Sequence, residues 1–139
     1  EAARHDIGLI VRVPLASGLL TGKFSPQTHF SADDHRNFNC HGEAFDKGET
    51  FAGVDYATGL EAVEALKRVF PGNQPLAAQA LRWILMFDEV SCVIPGASSP
   101  EQILSNLQAA DLPPISAEQM QAVRDIYDQR IRPLVHYSW

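Results

Sequence analysis

The stretch "VSCVIPGASSPEQILSNLQAA" at residues 90–110 changes character in its middle. Val90 to Ile94 is a short apolar run of the kind that forms a buried strand. Pro95-Gly96 ends it, and Gly96, Ala97 and Ser98 are small enough to let a ligand approach the backbone. Ser99 then predicts a helix N-cap, with Pro100 at the first helical position and Gln102 completing a capping box. The unpaired N–H groups at such a helix start attract anions, but Glu101 in the first turn repels a phosphate placed on the axis. Gln102 and Asn106, one helical turn apart on one face, offer hydrogen bonds to a neutral group instead. Two readings stand side by side: an ordinary capped helix closing an α/β unit, and a corner shaped for a ligand.

Outward from that corner the chain alternates. The opening "EAARHDIGLIVRV" reads as the last turn of a helix followed by a strand over Ile7–Val13, in which Arg12 faces something polar. Pro14 stops the strand. Thr58 with Glu61 predicts a capping box, followed by Leu60, Val63, Leu66, Val69 and Phe70 at helical spacing and a stop at Pro71-Gly72. A second helix starts near Pro75, ends before Asp88 and is expected to bury Leu76, Ala80, Leu81, Ile84 and Leu85. Ser116 with Gln119 opens a final helix through Met120, Val123, Ile126 and Tyr127. Residues 25–55 lack periodicity and are rich in Gly, Asp, His and Asn, and a connection that long is usually functional or disordered. The order of elements means a parallel α/β sheet. Two strands alone would leave apolar edges in water. The expectation is therefore that further strands come from elsewhere and that this chain is the second part of a longer protein.

Composition narrows the classes. The 139 residues are 45% hydrophobic and 20% charged, which fits one domain or a piece of one. A formal net charge of −6 argues against a general nucleic-acid binder, and no apolar run approaches the roughly 20 residues of a membrane span. Cys40 and Cys92 make no disulfide framework; Cys92, inside an apolar run, is expected to be buried. A cytoplasmic setting fits. "TGKF" at Thr21–Phe24 is no phosphate-binding P-loop, because Ser17 and Phe24 stand where that motif needs Gly and a hydroxyl residue. His29, His35, Cys40 and His41 match no zinc spacing, so no metal site is expected. No nucleophile elbow occurs.

Two segments taken together carry a likeness. "GLIVRVPLASGLLTGKF" and "AAQALRWILMFDEVSCVIPGASSPEQILSNLQAA", at this separation, resemble the C-terminal half of aldo-keto reductases, near the bacterial branch that also resembles potassium-channel β subunits. "ISAEQM" and the ending "RPLVHYSW" extend the match over nearly the whole chain. The resemblance implies an α/β fold. Residues 1–139 would be the C-terminal part of a single (β/α)₈ barrel domain, supplying about the seventh and eighth βα units plus the terminal helix. The active site of such a barrel lies at the C-terminal ends of its strands.

Carried over residue by residue, the resemblance places Arg12 where the family has an aromatic ring stacking on nicotinamide, and Val13 where Ser is common. The plane of Arg12 can lie against the ring in its place. Pro14, Leu15, Ala16, Ser17, Leu20 and Gly22 match the turn along the pyrophosphate, and Lys23 a phosphate-contacting Lys. Arg36 matches the Arg of a loop folding over the cofactor, which makes residues 25–55 a lid. Pro95, Gly96, Ala97 and Ser98 match the adenosine-side turn, and Gln102 and Asn106 the residues that hold adenine. Ser98 or Ser99 replaces the Arg or Lys that pairs with the 2′-phosphate of NADP, so NADP(H) is implied with NAD(H) left open. Ser105 replaces a frequent Glu. The family's catalytic Asp, Tyr, Lys and His lie in the N-terminal half; no catalytic residue is expected in this chain, and the isolated chain is expected to be inactive. The implied function is NAD(P)H-dependent reduction of aldehydes and ketones by the full-length protein. The implied partners are the nicotinamide cofactor, a small carbonyl substrate, and the N-terminal half of the barrel or a second copy of the chain, with no nucleic acid or membrane. The alternative is a non-catalytic, cofactor-sensing or self-associating half-barrel.

Overall fold

A computed structural model describes residues 1–138; Trp139, which ends the "RPLVHYSW" match, lies outside the described residues. Strand β1 (Leu9–Arg12) and strand β2 (Val90–Ile94) pair in parallel, with Ile10 opposite Cys92, Val11 opposite Val93 and Arg12 opposite Ile94. β2 has the predicted bounds. β1 is shorter than Ile7–Val13 because the register slips between Leu9 and Ile10 and because Val13 takes φ 47°. A β-branched residue in the left-handed region cannot continue a strand.

The crossover between the strands contains helix α1 (His35–Phe38), helix α2 (Tyr56–Val69) and helix α3 (Leu76–Ile84). After β2 come helices α4 (Pro100–Leu107), α5 (Ala117–Ile126) and α6 (Arg132–Val135), with a wider π-helical turn at Tyr127–Ile131 between the last two. The Ser116–Gln119 capping box forms with both of its hydrogen bonds. The Thr58–Glu61 box does not. Asp55 caps α2 instead, accepting from the Thr58 N–H at 2.9 Å, while Glu61 pairs with Arg130 at 2.7 Å. A carboxylate is a stronger acceptor for a helix N-terminus than a threonine hydroxyl, so the helix starts earlier.

Two small clusters form the core. Leu19, Phe51 and Val63 make one, packed by Phe24, Phe30, Tyr56 and Leu76; Ala78, Leu81 and Ala109 make the other, packed by Leu15 and Val93. Of the five residues expected to be buried on α3, only Leu81 is fully so. Leu76, Ala80 and Ile84 are half-buried, because they line an apolar cavity of about 510 Å³ between α2, α3 and α5. The strands are bare as expected, with Ile10 68% and Ile94 53% exposed. Cys92 is exposed too, which corrects its expected burial. Its strand is paired along one edge only, and no described strand covers the other.

Residues 25–55 are not a structureless connection. Besides α1 they contain 3₁₀ turns at Lys47–Glu49 and Phe51–Gly53 and their own buried polar centre. Asn39, with no exposed surface, accepts at Oδ1 from the N–H groups of Ala44 (2.9 Å) and Phe45 (2.8 Å). Its Nδ2 donates to Thr50 Oγ1 at 3.2 Å, and Thr50 is also buried. The segment then enters the core through Phe51, so it is ordered by one amide and one aromatic ring rather than by periodicity.

Candidate functional site

The parallel pairing fixes where the two sequence motifs meet. Arg12 and Ile94 are partners at the last rung, so the turn starting at Val13 and the turn starting at Pro95 leave the same end of the sheet side by side. That end is the C-terminal edge of parallel strands, where α/β proteins place their ligands.

The first turn is strained. Val13 (φ 47°), Ala16 (φ 48°) and Ser17 (φ 56°) are all left-handed, followed by Gly18 at φ 89°. Left-handed non-glycine residues are unfavourable by about 1–2 kcal/mol each and concentrate at functional sites. Packed side chains hold this turn in place, with Pro14 buried and its neighbours half-buried. Pro14, Ala16 and Leu20 line the large cavity, and Leu15 packs on the Ala78–Leu81–Ala109 cluster. Gly22 sits at φ 71°, where an added Cβ would press on Lys67 and Leu76. Lys23 is exposed and has no carboxylate partner among the described residues. Its ammonium is available to an anion.

The long connection is buckled onto this turn. Ser17 Oγ donates to the Glu49 carbonyl at 3.4 Å and accepts from the Phe51 N–H at 3.3 Å. Arg12 Nη2 donates to Glu49 Oε2 at 3.0 Å. Arg36 Nη1 donates to the Ser17 carbonyl at 3.3 Å, and its Nε donates to Asp34 Oδ1 at 2.9 Å. Its guanidinium also lies 4.6 Å from the Phe30 ring centroid. Arg36 is thus held by Asp34, by the Ser17 carbonyl and by an aromatic face. The hydrogen bonds from Arg36 hold the Asp34 carboxyl well below its ordinary range, at about 2.

The second turn is open. Gly96, Ala97 and Ser98 are exposed, and Pro95, Ala97 and Asn106 border a second cavity of about 310 Å³. Gln102 Oε1 accepts from the Ser98 N–H at 2.7 Å and from its hydroxyl at 3.2 Å, while Ser99 Oγ accepts from the Gln102 N–H at 3.3 Å. The capping box expected at Ser99 is thereby displaced by one residue, since the Gln102 amide meets Ser98. Asn106 Nδ2 donates to the Gly96 carbonyl at 3.4 Å. The Glu101 carboxyl is shifted downward by its own backbone N–H and then by Ser99, so a negative charge stays at the start of α4.

Sequence reasoning missed Asp34, Asn39 and Glu49, which hold the connection in place. Asp34, two residues before Arg36, carried a faint signal. The other two carried none, because their partners are distant in sequence or lie on the backbone.

The model of the Aldo/keto reductase family matches residues 1–128. The chain belongs to the aldo/keto reductase family. It is 33% identical over 105 residues to the L-glyceraldehyde 3-phosphate reductase of Escherichia coli (strain K12), covering 76% of this chain and 29% of that protein. It is 31% identical over 117 residues to a probable voltage-gated potassium channel subunit beta of Arabidopsis thaliana, covering 80% of this chain and 32% of the relative. Among solved structures, the glycerol dehydrogenase AKR11B4 from Gluconobacter oxydans superposes with TM-score 0.70 at 26% identity, over 94% of this chain and 37% of that one. The chain therefore spans about a third of the length of these relatives. Its two parallel strands and their helices form part of a (β/α)₈ barrel. The family is one of oxidoreductases and generally uses nicotinamide cofactors. Among the described residues no helix is long and apolar enough to cross a membrane.

Proposed function

We propose that residues 1–139 supply the cofactor-binding portion of an NAD(P)H-dependent reductase of aldehydes and ketones, in a barrel whose proton-donating residues lie outside this chain. The observation that carries the reading is the side-by-side exit of the two turns from Arg12 and Ile94. The groups present there fit a dinucleotide. Lys23 offers an exposed cation for phosphate, the Ser98 and Ser99 hydroxyls offer neutral hydrogen bonds, and Arg12 offers a planar cation. Bound there, the cofactor would supply hydride for carbonyl reduction.

Each part of the chain has a role in that reading. The strained Val13–Ser17 turn presents backbone and the Lys23 ammonium to the diphosphate. Arg36 holds the connection over that turn through Ser17, and its pairing with Asp34 makes it a clamp for the loop. Gln102 and Asn106 brace the 96–98 turn from beneath and keep its exposed face shaped for the adenosine end. With Glu101 charged and no Arg at Ser98 or Ser99, discrimination in favour of a 2′-phosphate is weak.

Titration with NADPH, following energy transfer from Trp83, tests the placement. Lys23→Ala is expected to weaken binding by about tenfold, as for loss of a charge-assisted contact, and Gln102→Ala by several-fold through collapse of the turn. Unchanged binding in both variants would sink the assignment. The bare Ile10 and Ile94 surfaces motivate a second reading, in which two copies of the chain cover each other's strands. Sedimentation separates the two, since a concentration-independent monomer removes self-association.

A further inference from the structure

We infer that Glu49 positions Arg12 and balances its charge, and that the pair thereby sets how evenly the site accepts the oxidised and reduced forms of the nicotinamide ring. The inference rests on the cofactor site proposed above. Arg12 donates from Nη1 and Nη2 to Glu49 Oε1 and Oε2 at 3.4 and 3.0 Å. This fork engages the rim of the guanidinium rather than its planar faces, as stacking on a ring requires.

Glu49 is presented by anchored backbone. Its carbonyl accepts from Ser17 Oγ, its N–H donates to the Asp46 carbonyl at 3.1 Å, and Phe51, 1% exposed, pins the chain two residues on. Yet the pair does little for the fold. The two side chains are 68% and 46% exposed, and ion pairs so open to water add almost nothing to stability. Their evident effect is on Arg12 itself, whose orientation is held and whose charge is offset. In the proposed site, where the family resemblance sets the nicotinamide ring against Arg12, that charge matters because the oxidised ring is cationic and the reduced ring is neutral. An uncompensated guanidinium would repel only the oxidised form; Glu49 removes that bias.

NADP⁺ and NADPH differ only at the ring, so the ratio of their dissociation constants isolates the effect. The ratio is measured for the chain, Glu49→Gln, Arg12→Met and the double variant. Glu49→Gln is expected to raise the ratio of oxidised to reduced dissociation constants by about threefold or more at low salt. Added salt should compress the change, and the double variant should return to the Arg12→Met ratio. A purely structural role for Glu49 would weaken both forms alike, and an unmoved ratio overturns the inference while leaving the cofactor site standing. Failure of the unmodified chain to bind either form overturns the cofactor-site reading and this inference with it.

Discussion

Asn39, with no exposed surface, is the buried polar centre of residues 39–50, and its replacement yields a quantitative test. Truncation in Asn39→Ala removes the acceptor of the Ala44 and Phe45 N–H groups and the donor to Thr50 Oγ1 and, at 3.4 Å, to the Asp46 carbonyl. At about 1 kcal/mol net per bond, the three shorter ones amount to about 3 kcal/mol, to which the long contact with Asp46 adds little. A water molecule entering the vacated space would recover part of this, but Thr50 is 1% exposed and its hydroxyl is hard to reach. The loss is local. Hydrogen exchange at residues 42–50 should therefore accelerate by about a hundredfold, which corresponds to about 3 kcal/mol. The global urea midpoint should fall only as far as Phe51 is loosened. Asn39→Asp keeps the acceptor but turns an N–H toward Thr50 and Asp46 into a carboxylate oxygen. Burial raises the folded-state pKa of such a carboxyl above its unfolded value, so this variant should regain protection as the pH falls through that raised pKa and lose it as the pH rises. Exchange within twofold of the unmodified chain for Asn39→Ala would refute the view that one amide organises the connection.

Two further outcomes follow from particular contacts. In Gly59→Ala the new Cβ would lie 2.7 Å from Leu19 Cδ2 in the core. The clash should outweigh a helix-propensity gain of about 1 kcal/mol and leave a net loss of about 1 kcal/mol in urea unfolding; a gain in stability would show that Leu19 yields freely. Asp34 has its folded pKa lowered to about 2 from 3.8, so it contributes stability above the unfolded value that is lost as pH falls from about 4 through about 2. Asp34→Asn should flatten the acid dependence in that window and free Arg36 from its clamp; an unchanged acid profile would refute the coupling.

Much of the fold was legible because it rests on local chemistry. The β2–α4 corner, with Ser99 as cap and Pro100 after it, follows from residue types within one turn of each other, and the Ser116–Gln119 box likewise. Where two local solutions competed, the reading slipped: Asp55 outcompetes Thr58 as a cap, and Gln102 reaches Ser98. Cys92 sits in an apolar run, and such a run predicts burial only if something covers it.

The connection at 25–55 and the clamp on Arg36 were not legible. They depend on Asn39, Asp34 and Glu49 meeting backbone and side chains brought near by folding. Sequence alone determined the α/β alternation, the two turns, the family likeness and the incompleteness of the sheet, because strand pattern, breakers and caps act over a few residues. Only the tertiary structure decided that Val13, Ala16 and Ser17 are left-handed, that the connection is latched to their turn and that Arg12 meets Glu49. Those features come from parallel pairing and core packing, which join positions far apart along the chain and leave no periodic trace in it.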